Sequence, residues 1–350
     1  MLIKFPDYLE YVYHAPLEIS KYISVNEITD SYLGLIPSRA SIFGSKKEYL
    51  GTRDDDVITG SAENDFIIGF GGNDLMFGGS GNDVLMGRQG NDHLIGDFFP
   101  SSENFDDFGQ LLQSVASGKN DVLIGGPGDD VLVDQYGSDV FRGGAGNDRL
   151  ISISDSGTPR ENQRIKAQVE NGSDLDKLRF AEKFFNPEDF ASNDRFKGGE
   201  GADTFEWNLL INAPKSIVDR NTRDQIIDWG MDGVAGENEN YHDHWVDGIG
   251  RDVITDFSGE GGEGDKIVIK GHTVKAMLLR ESESKAVIGL YSDQGNDGER
   301  GGGAHDFDVL GKIIVRHDGN FSYENDVSVL GVDYGAYGNG SGLLDAFGFI

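Results

Sequence analysis

Residues 51–95 read as five nine-residue units without a gap: GTRDDDVIT (51–59), GSAENDFII (60–68), GFGGNDLMF (69–77), GGSGNDVLM (78–86) and GRQGNDHLI (87–95). Asp56, Asp65, Asp74, Asp83 and Asp92 therefore recur at a spacing of nine, and two residues after each comes an apolar side chain: Ile58, Ile67, Met76, Leu85 and Leu94. Side chains on a strand alternate between faces, so only the middle one of the three residues after each Asp points inward. The six residues before it carry Gly where the backbone must turn sharply, and Asn commonly precedes the Asp. Each unit is predicted to be one short strand plus one turn.

A second block resumes out of register as ASGKNDVLI, GGPGDDVLV, DQYGSDVFR and GGAGNDRLI over 116–151, with Asp121, Asp130, Asp139 and Asp148 backed by Leu123, Leu132, Phe141 and Leu150. A third fragment, ASNDRFKGGEGADTFEW (191–207), adds Asp194 and Asp203. Stacked units put parallel strands about 4.8 Å apart and bring the turn carboxylates into columns, where they repel one another. A hard cation between turns reverses the repulsion. Calcium takes six to eight oxygens from carboxylates and carbonyls in flexible geometry, whereas magnesium demands a tighter octahedron and keeps its water. The alternative is a metal-free solenoid whose Asp and Asn residues only cap turns. Its weakness is that one inward side chain per strand buries little apolar area for the backbone entropy spent.

These units resemble the calcium-binding nonapeptides of the repeats-in-toxin (RTX, hemolysin-type) family. The resemblance implies an all-β fold, a right-handed parallel β-roll in which two nonapeptides complete one coil. It also implies that Asp carboxylates and turn carbonyls hold calcium between stacked turns, a role that passes to the eleven aspartates named above. The sequence departs from the pattern where Asp54 and Glu63 replace the turn glycine and where Asp134 opens a unit in place of Gly, and occupancy is less expected there.

Composition agrees with a turn-rich, cation-binding chain. Gly is 51 of 350 residues with only 8 Pro, so neither collagen nor a Pro-rich disordered tract fits. A formal charge of −31 opposes compaction unless cations neutralise it, and it makes nucleic acid an improbable partner, because phosphate binding needs clustered Lys and Arg. With no cysteine there is neither a disulfide nor a thiolate metal site. Residues 1–25 are interrupted by Lys4, Asp7, Glu10 and Glu18 and offer no apolar stretch of signal-peptide or membrane-span length. The ending, LLDAFGFI, places an acidic residue before a hydrophobic terminus and resembles the uncleaved signals of one-step (type I) export from Gram-negative bacteria. Secretion without an amino-terminal signal is the expectation.

The expected organisation is an aromatic-rich cap over 1–50, a roll over 51–206 with inserts at 96–115 and 152–190, and a β-rich domain over 207–350. The later runs RDVITDF, GDKIVIKG, AVIGLYSD and GKIIVRHDG read as antiparallel strands. The chain is similar to the carboxy-terminal part of secreted metalloproteases, lipases and alginate epimerases, yet no histidine begins HExxH and no serine sits in GxSxG. In YHDHWVDG, His242 and His244 flank Asp243 and precede Asp247; on a strand the two histidines share a face, with His305 a conceivable third metal ligand. The competing reading is a polar loop. Residues 292–308 are dense in oxygen ligands without EF-hand spacing, so they are either a flexible acidic loop or a further calcium site. The expected function is a non-enzymatic extracellular or surface module whose calcium bridges anionic polysaccharide or neighbouring molecules. The alternative is a secreted hydrolase or polysaccharide-modifying enzyme with its site in 207–350.

Overall fold

The computed structural model describes residues 47–97, 120–153 except 136, 193–209, 248–271, 274–292 and 308–330, with short pieces at 175, 211–212, 222–223, 226–227 and 245–246. The expected cap before residue 47, most of both inserts, His242, Asp243, His244, Asp247, His305, most of the 292–308 loop and the LLDAFGFI ending lie outside the described residues.

Twelve strands follow one another through the repeats. They are β1 (Lys47–Leu50), β2 (Val57–Ser61), β3 (Asp65–Gly71), β4 (Leu75–Gly79), β5 (Val84–Gln89), β6 (His93–Ile95), β7 (Val122–Pro127), β8 (Val131–Asp134), β9 (Val140–Ala145), β10 (Arg149–Ile153), β11 (Arg195–Glu200) and β12 (Thr204–Leu209). Odd strands stack in one sheet and even strands in the other, parallel throughout. Uninterrupted neighbours are 18 residues apart, two nonapeptides per coil; across the first insert the separation is 38 and across the second 55, with the pairing itself unchanged. The protein is an all-β, parallel β-roll.

The inward column is the one the sequence predicts. Ile67, Met76, Leu85, Leu94, Leu123, Leu132, Phe141 and Leu150 are wholly buried between the sheets, while Ile58 at the start is partly buried. Toward the carboxy-terminal end the column becomes aromatic: Phe141 stacks on Phe196 at 4.6 Å, and Phe205, Trp207, Phe257 and Phe321 continue the contact chain. Flanking side chains are not all solvent-facing, because Phe66, Ile68, Val84 and Met86 form a second buried cluster on the outer face of the odd-strand sheet.

Beyond residue 209, two short antiparallel pairs join β13 (Ile211–Asn212) to β16 (Trp245–Val246) and β14 (Thr222–Arg223) to β15 (Ile226–Ile227). The strands that follow are β17 (Gly250–Phe257), β18 (Lys266–Gly271), β19 (Val274–Ser282), β20 (Lys285–Ser292), β21 (Asp308–His317) and β22 (Val327–Leu330), the last preceded by the short helix α1 (Tyr323–Asp326). Here the antiparallel expectation holds for AVIGLYSD and GKIIVRHDG, which form β20 and β21 and pair antiparallel, and is corrected for the other two runs. RDVITDF and GDKIVIKG form β17 and β18, which extend the two sheets in parallel, and β21 and β22 continue them in parallel again. Among these six strands, β19, β20 and β21 pair antiparallel with one another, as a meander on the end of the odd-strand sheet. The two sheets thus run on past residue 206 without a break. Antiparallel hairpins were the natural expectation for such short apolar runs, but the coil length here is 58 to 62 residues, which hides the period.

The two edges of the roll differ. Crossings from the odd-strand sheet to the even-strand sheet are short throughout. The long segments 96–121, 154–194 and 210–249 all join the even-strand sheet to the odd-strand sheet, and so does the stretch from β18 to β21, which contributes β19 and β20 on the way. We call the first the plain edge and the second the insertion edge.

Candidate metal centre

Each turn ends in an Asp whose backbone and side chain are both tied into the stack. On the plain edge the Asp56 backbone N–H donates to Asp74 Oδ1 (2.9 Å), Asp74 to Asp92 (2.9 Å), Asp92 to Asp130 (2.7 Å), Asp130 to Asp148 (2.9 Å) and Asp148 to Asp203 (2.9 Å). On the insertion edge Asp65 donates to Asp83 (2.7 Å), Asp83 to Asp121 (2.7 Å), Asp121 to Asp139 (2.8 Å) and Asp139 to Asp194 (2.9 Å). All eleven sequence-predicted residues therefore lie in two ladders, one at each edge, and all but Asp56 are buried.

Both ladders reach further than the repeats do. Asp194 donates to Asp252 Oδ1 (2.8 Å) and Asp203 to Asp265 Oδ1 (2.9 Å), adding two carboxylates that the nine-residue frame misses. Their signal in the sequence is the same local grammar, an Asp followed two residues later by an apolar side chain, here Ile254 and Ile267. The residue before each Asp also has a role. Asn91 N–H donates to Asn73 Oδ1 (2.8 Å), Asp129 to Asn91 (3.0 Å) and Asn147 to Asp129 (2.7 Å), a second rung that satisfies backbone donors in the turns.

One oxygen per carboxylate is spent on the ladder. The other, Oδ2, has no hydrogen-bond partner among the described residues in Asp74, Asp83, Asp92, Asp121, Asp130, Asp148 and Asp203, all buried. A buried, unpaired carboxylate oxygen is costly, so these atoms call for a ligand. Each faces a glycine, five residues before it in every case except Asp121, which faces Gly96. A Cβ on Gly78 would lie 2.7 Å from Asp83 Oδ2 and 2.6 Å from the carbonyl oxygen of Gly96 one coil on, and a Cβ on Gly143 would strike the Asp148 carboxylate and the Gly198 carbonyl oxygen. A small cradle of carboxylate and carbonyl oxygens is the donor set that calcium takes.

At the ends of the ladders the protein supplies the partner itself. Thr52 N–H and hydroxyl donate to Asp56 Oδ2 (2.5 and 3.0 Å), and Ser61 N–H donates to Asp65 Oδ2. At the other end the Ser152 hydroxyl donates to Asp194 Oδ2 (2.7 Å), Trp207 Nε1–H to Asp252 Oδ2 (2.7 Å) and Ser258 N–H to Asp265 Oδ2 (2.8 Å). The two units in which Asp54 and Glu63 replace the turn glycine are thus both self-capped.

Burial, reinforced by neighbouring carboxylates, raises these acids from their usual 3.8. Asp74, Asp83 and Asp203 are pushed up to about 7, Asp92, Asp148 and Asp265 to about 6, and Asp130 to about 8. Asp121, Asp139 and Asp252, more deeply buried on the insertion edge, are raised well above that range's starting point for the same reason. An adjacent dication removes this bias toward the protonated acid.

The RTX calcium-binding nonapeptide repeat model matches the chain in four copies, at residues 50–85, 77–98, 115–150 and 190–206. No curated protein matches the chain. The matched residues are the strands and turns that build both ladders as far as Asp203. Residues 50–98, 115–150 and 190–206 therefore carry RTX calcium-binding nonapeptide repeats, and the strands they form stack as a β-roll.

Proposed function

We propose that this protein is a calcium-dependent folding module that acts outside the cell, where the ion completes the roll, and that it binds rather than turns over its partner. The observation that carries the proposal is the row of buried Oδ2 atoms without hydrogen-bond partners among the described residues, each opposite a glycine cradle. Asp74, Asp83, Asp92, Asp121, Asp130, Asp139, Asp148 and Asp203 are the proposed ligands. Asp56, Asp65 and Asp194, whose second oxygens are held by Thr52, Ser61 and Ser152, serve as caps of the ion columns.

Mass action supplies the coupling to compartment. With free calcium at about ten times Kd, each occupied site stabilises the fold by about 1.4 kcal/mol, so roughly six sites contribute about 8 kcal/mol, a sum comparable to a whole domain's stability. Extracellular calcium modules have Kd near 10⁻⁴ to 10⁻³ M, on the order of free calcium outside cells, so such a roll is loose before export and folded after it. Divalent ions on an acidic surface suit an anionic polysaccharide or another acidic surface as partner, bridged through calcium.

The test is circular dichroism of the full chain, first in chelator and then titrated with calcium. Strand signal should appear cooperatively with calcium, and Asp74→Ala and Asp83→Ala should each move the midpoint to higher calcium. A roll equally ordered and heat-resistant in excess EDTA would sink the proposal.

A further inference from the structure

On the insertion edge the glycine that opens each unit gives way to larger residues. Along the even-strand sheet this register position runs Gly60, Gly78, Gly96, Asp134, Ser152 and Trp207. Ser152 and Trp207 satisfy ladder carboxylates, but Asp134 brings another carboxylate among them. Its oxygens converge with those of Asp97 and Asp121, each residue offering one ligand atom within 4.8 Å of the other two, and all three residues are buried.

Two features single this group out from the acidic surface. Asp134 Oδ1 accepts the backbone N–H groups of Gln135 (2.9 Å) and Asp97 (3.2 Å), whereas Asp134 Oδ2 and Asp121 Oδ2 have no hydrogen-bond partner among the described residues, and the two residues are 99 and 100 % buried. Both Oδ2 atoms point at one spot, because a Cβ placed on Gly96 would strike Asp134 Oδ2 and lie 2.6 Å from Asp121 Oδ2. Gly96 leaves that spot open to an ion.

We infer that Asp97, Asp121 and Asp134 form a calcium site of a different kind from the turn sites, with three carboxylates and therefore a higher affinity for a divalent cation. Ligand charge tunes calcium affinity over orders of magnitude, and full burial keeps water from screening the added charge. Asp97 is the last described residue before 98–119 and Asp121 the second after it, so the ion joins the two chain ends of the first insert. It holds β7 in register on β5 across a separation of 38 residues. The inference shares with the proposed function only the premise that buried carboxylates opposite glycine take calcium.

The experiment is calcium titration of the full chain in competition with a chromophoric chelator, with the strand signal followed in parallel. The wild type should bind one calcium at least tenfold more tightly than the rest. Asp134→Gly, which restores the residue opening most other units, and Asp97→Asn, which keeps shape and removes one charge, should each weaken that ion at least tenfold. Both should still reach the wild-type strand signal in saturating calcium. A wild type with a single affinity class, a tight class retained in either variant, or a variant that cannot reach the wild-type strand signal each overturns the site. A roll that titrates with calcium but lacks the tighter class sinks this inference alone, while a strand signal indifferent to calcium sinks the proposed function.

Discussion

The plain edge and the insertion edge are built from the same nonapeptides, yet they neutralise their carboxylates differently. On the plain edge every Asp from Asp56 to Asp203 faces a glycine, at Gly51, Gly69, Gly87, Gly125, Gly143 and Gly198, and crossings stay short. On the insertion edge the facing residue changes to Asp134, Ser152 and Trp207 as the inserts arrive. Where the turn remains regular, an external cation is the partner the geometry leaves room for. Where the turn is interrupted, hydroxyl, indole and extra carboxylate groups enter the cradle and the chain takes over part of that work. Repetition makes an ion column, and departure from repetition makes individual sites.

The largest test of the contrast is pH. In the ion-free roll the carboxylates have values near 6 to 8 on the plain edge, and several on the insertion edge are raised strongly, against 3.8 when unfolded. The folded form then holds protons that the unfolded chain has released, so stability from this source is fully present below about pH 4 and is lost as pH rises through about 6 to 8. Circular dichroism in chelator should show strand signal fading across that window. Saturating calcium should abolish the fade, and calorimetry in buffers of different ionisation heat should detect proton release on calcium binding near pH 6.5.

A smaller effect is expected from filling one plain-edge cradle. Gly143→Ala drives a methyl into the Asp148 carboxylate and the fixed Gly198 carbonyl, so a loss of about 3 kcal/mol and a raised calcium midpoint should follow. Its insertion-edge counterpart, Trp207→Phe, keeps the ring but strands Asp252 Oδ2, for a loss of about 2 kcal/mol in a thermal melt. That loss should persist in saturating calcium, because here the protein and not the ion is the partner. An equal rescue by calcium would erase the distinction between the edges. Smallest of all, Arg88→Gly on the plain edge relieves a side chain held at φ 83° while giving up its position over the Phe70 ring, and the melt should move by less than about 1 kcal/mol.

How much of this could be read beforehand follows from where the period survives. The inward column from Ile67 to Leu150 and all eleven aspartates are legible because a nine-residue spacing fixes face, turn and ladder together. Asp252 and Asp265 are not, since two coils of about 60 residues carry no visible repeat, and their strands look like any alternating apolar run. Asp134 is visible only as an error in the pattern; that the error meets Asp97 and Asp121 depends on contacts between coils, which linear spacing does not encode. The Asn rungs lie between these cases, with the residue type apparent and its acceptor role hidden until the coils are stacked.

Confining every long segment to one side has a consequence for how such a chain can change over time. A stretch of twenty or forty residues can be spliced in or deleted there while the opposite side keeps its short crossings and its Asp-to-Asp contacts. Two descendants could differ by a tenth of their length and still superpose strand for strand, which makes that side the natural place to graft a foreign peptide for display.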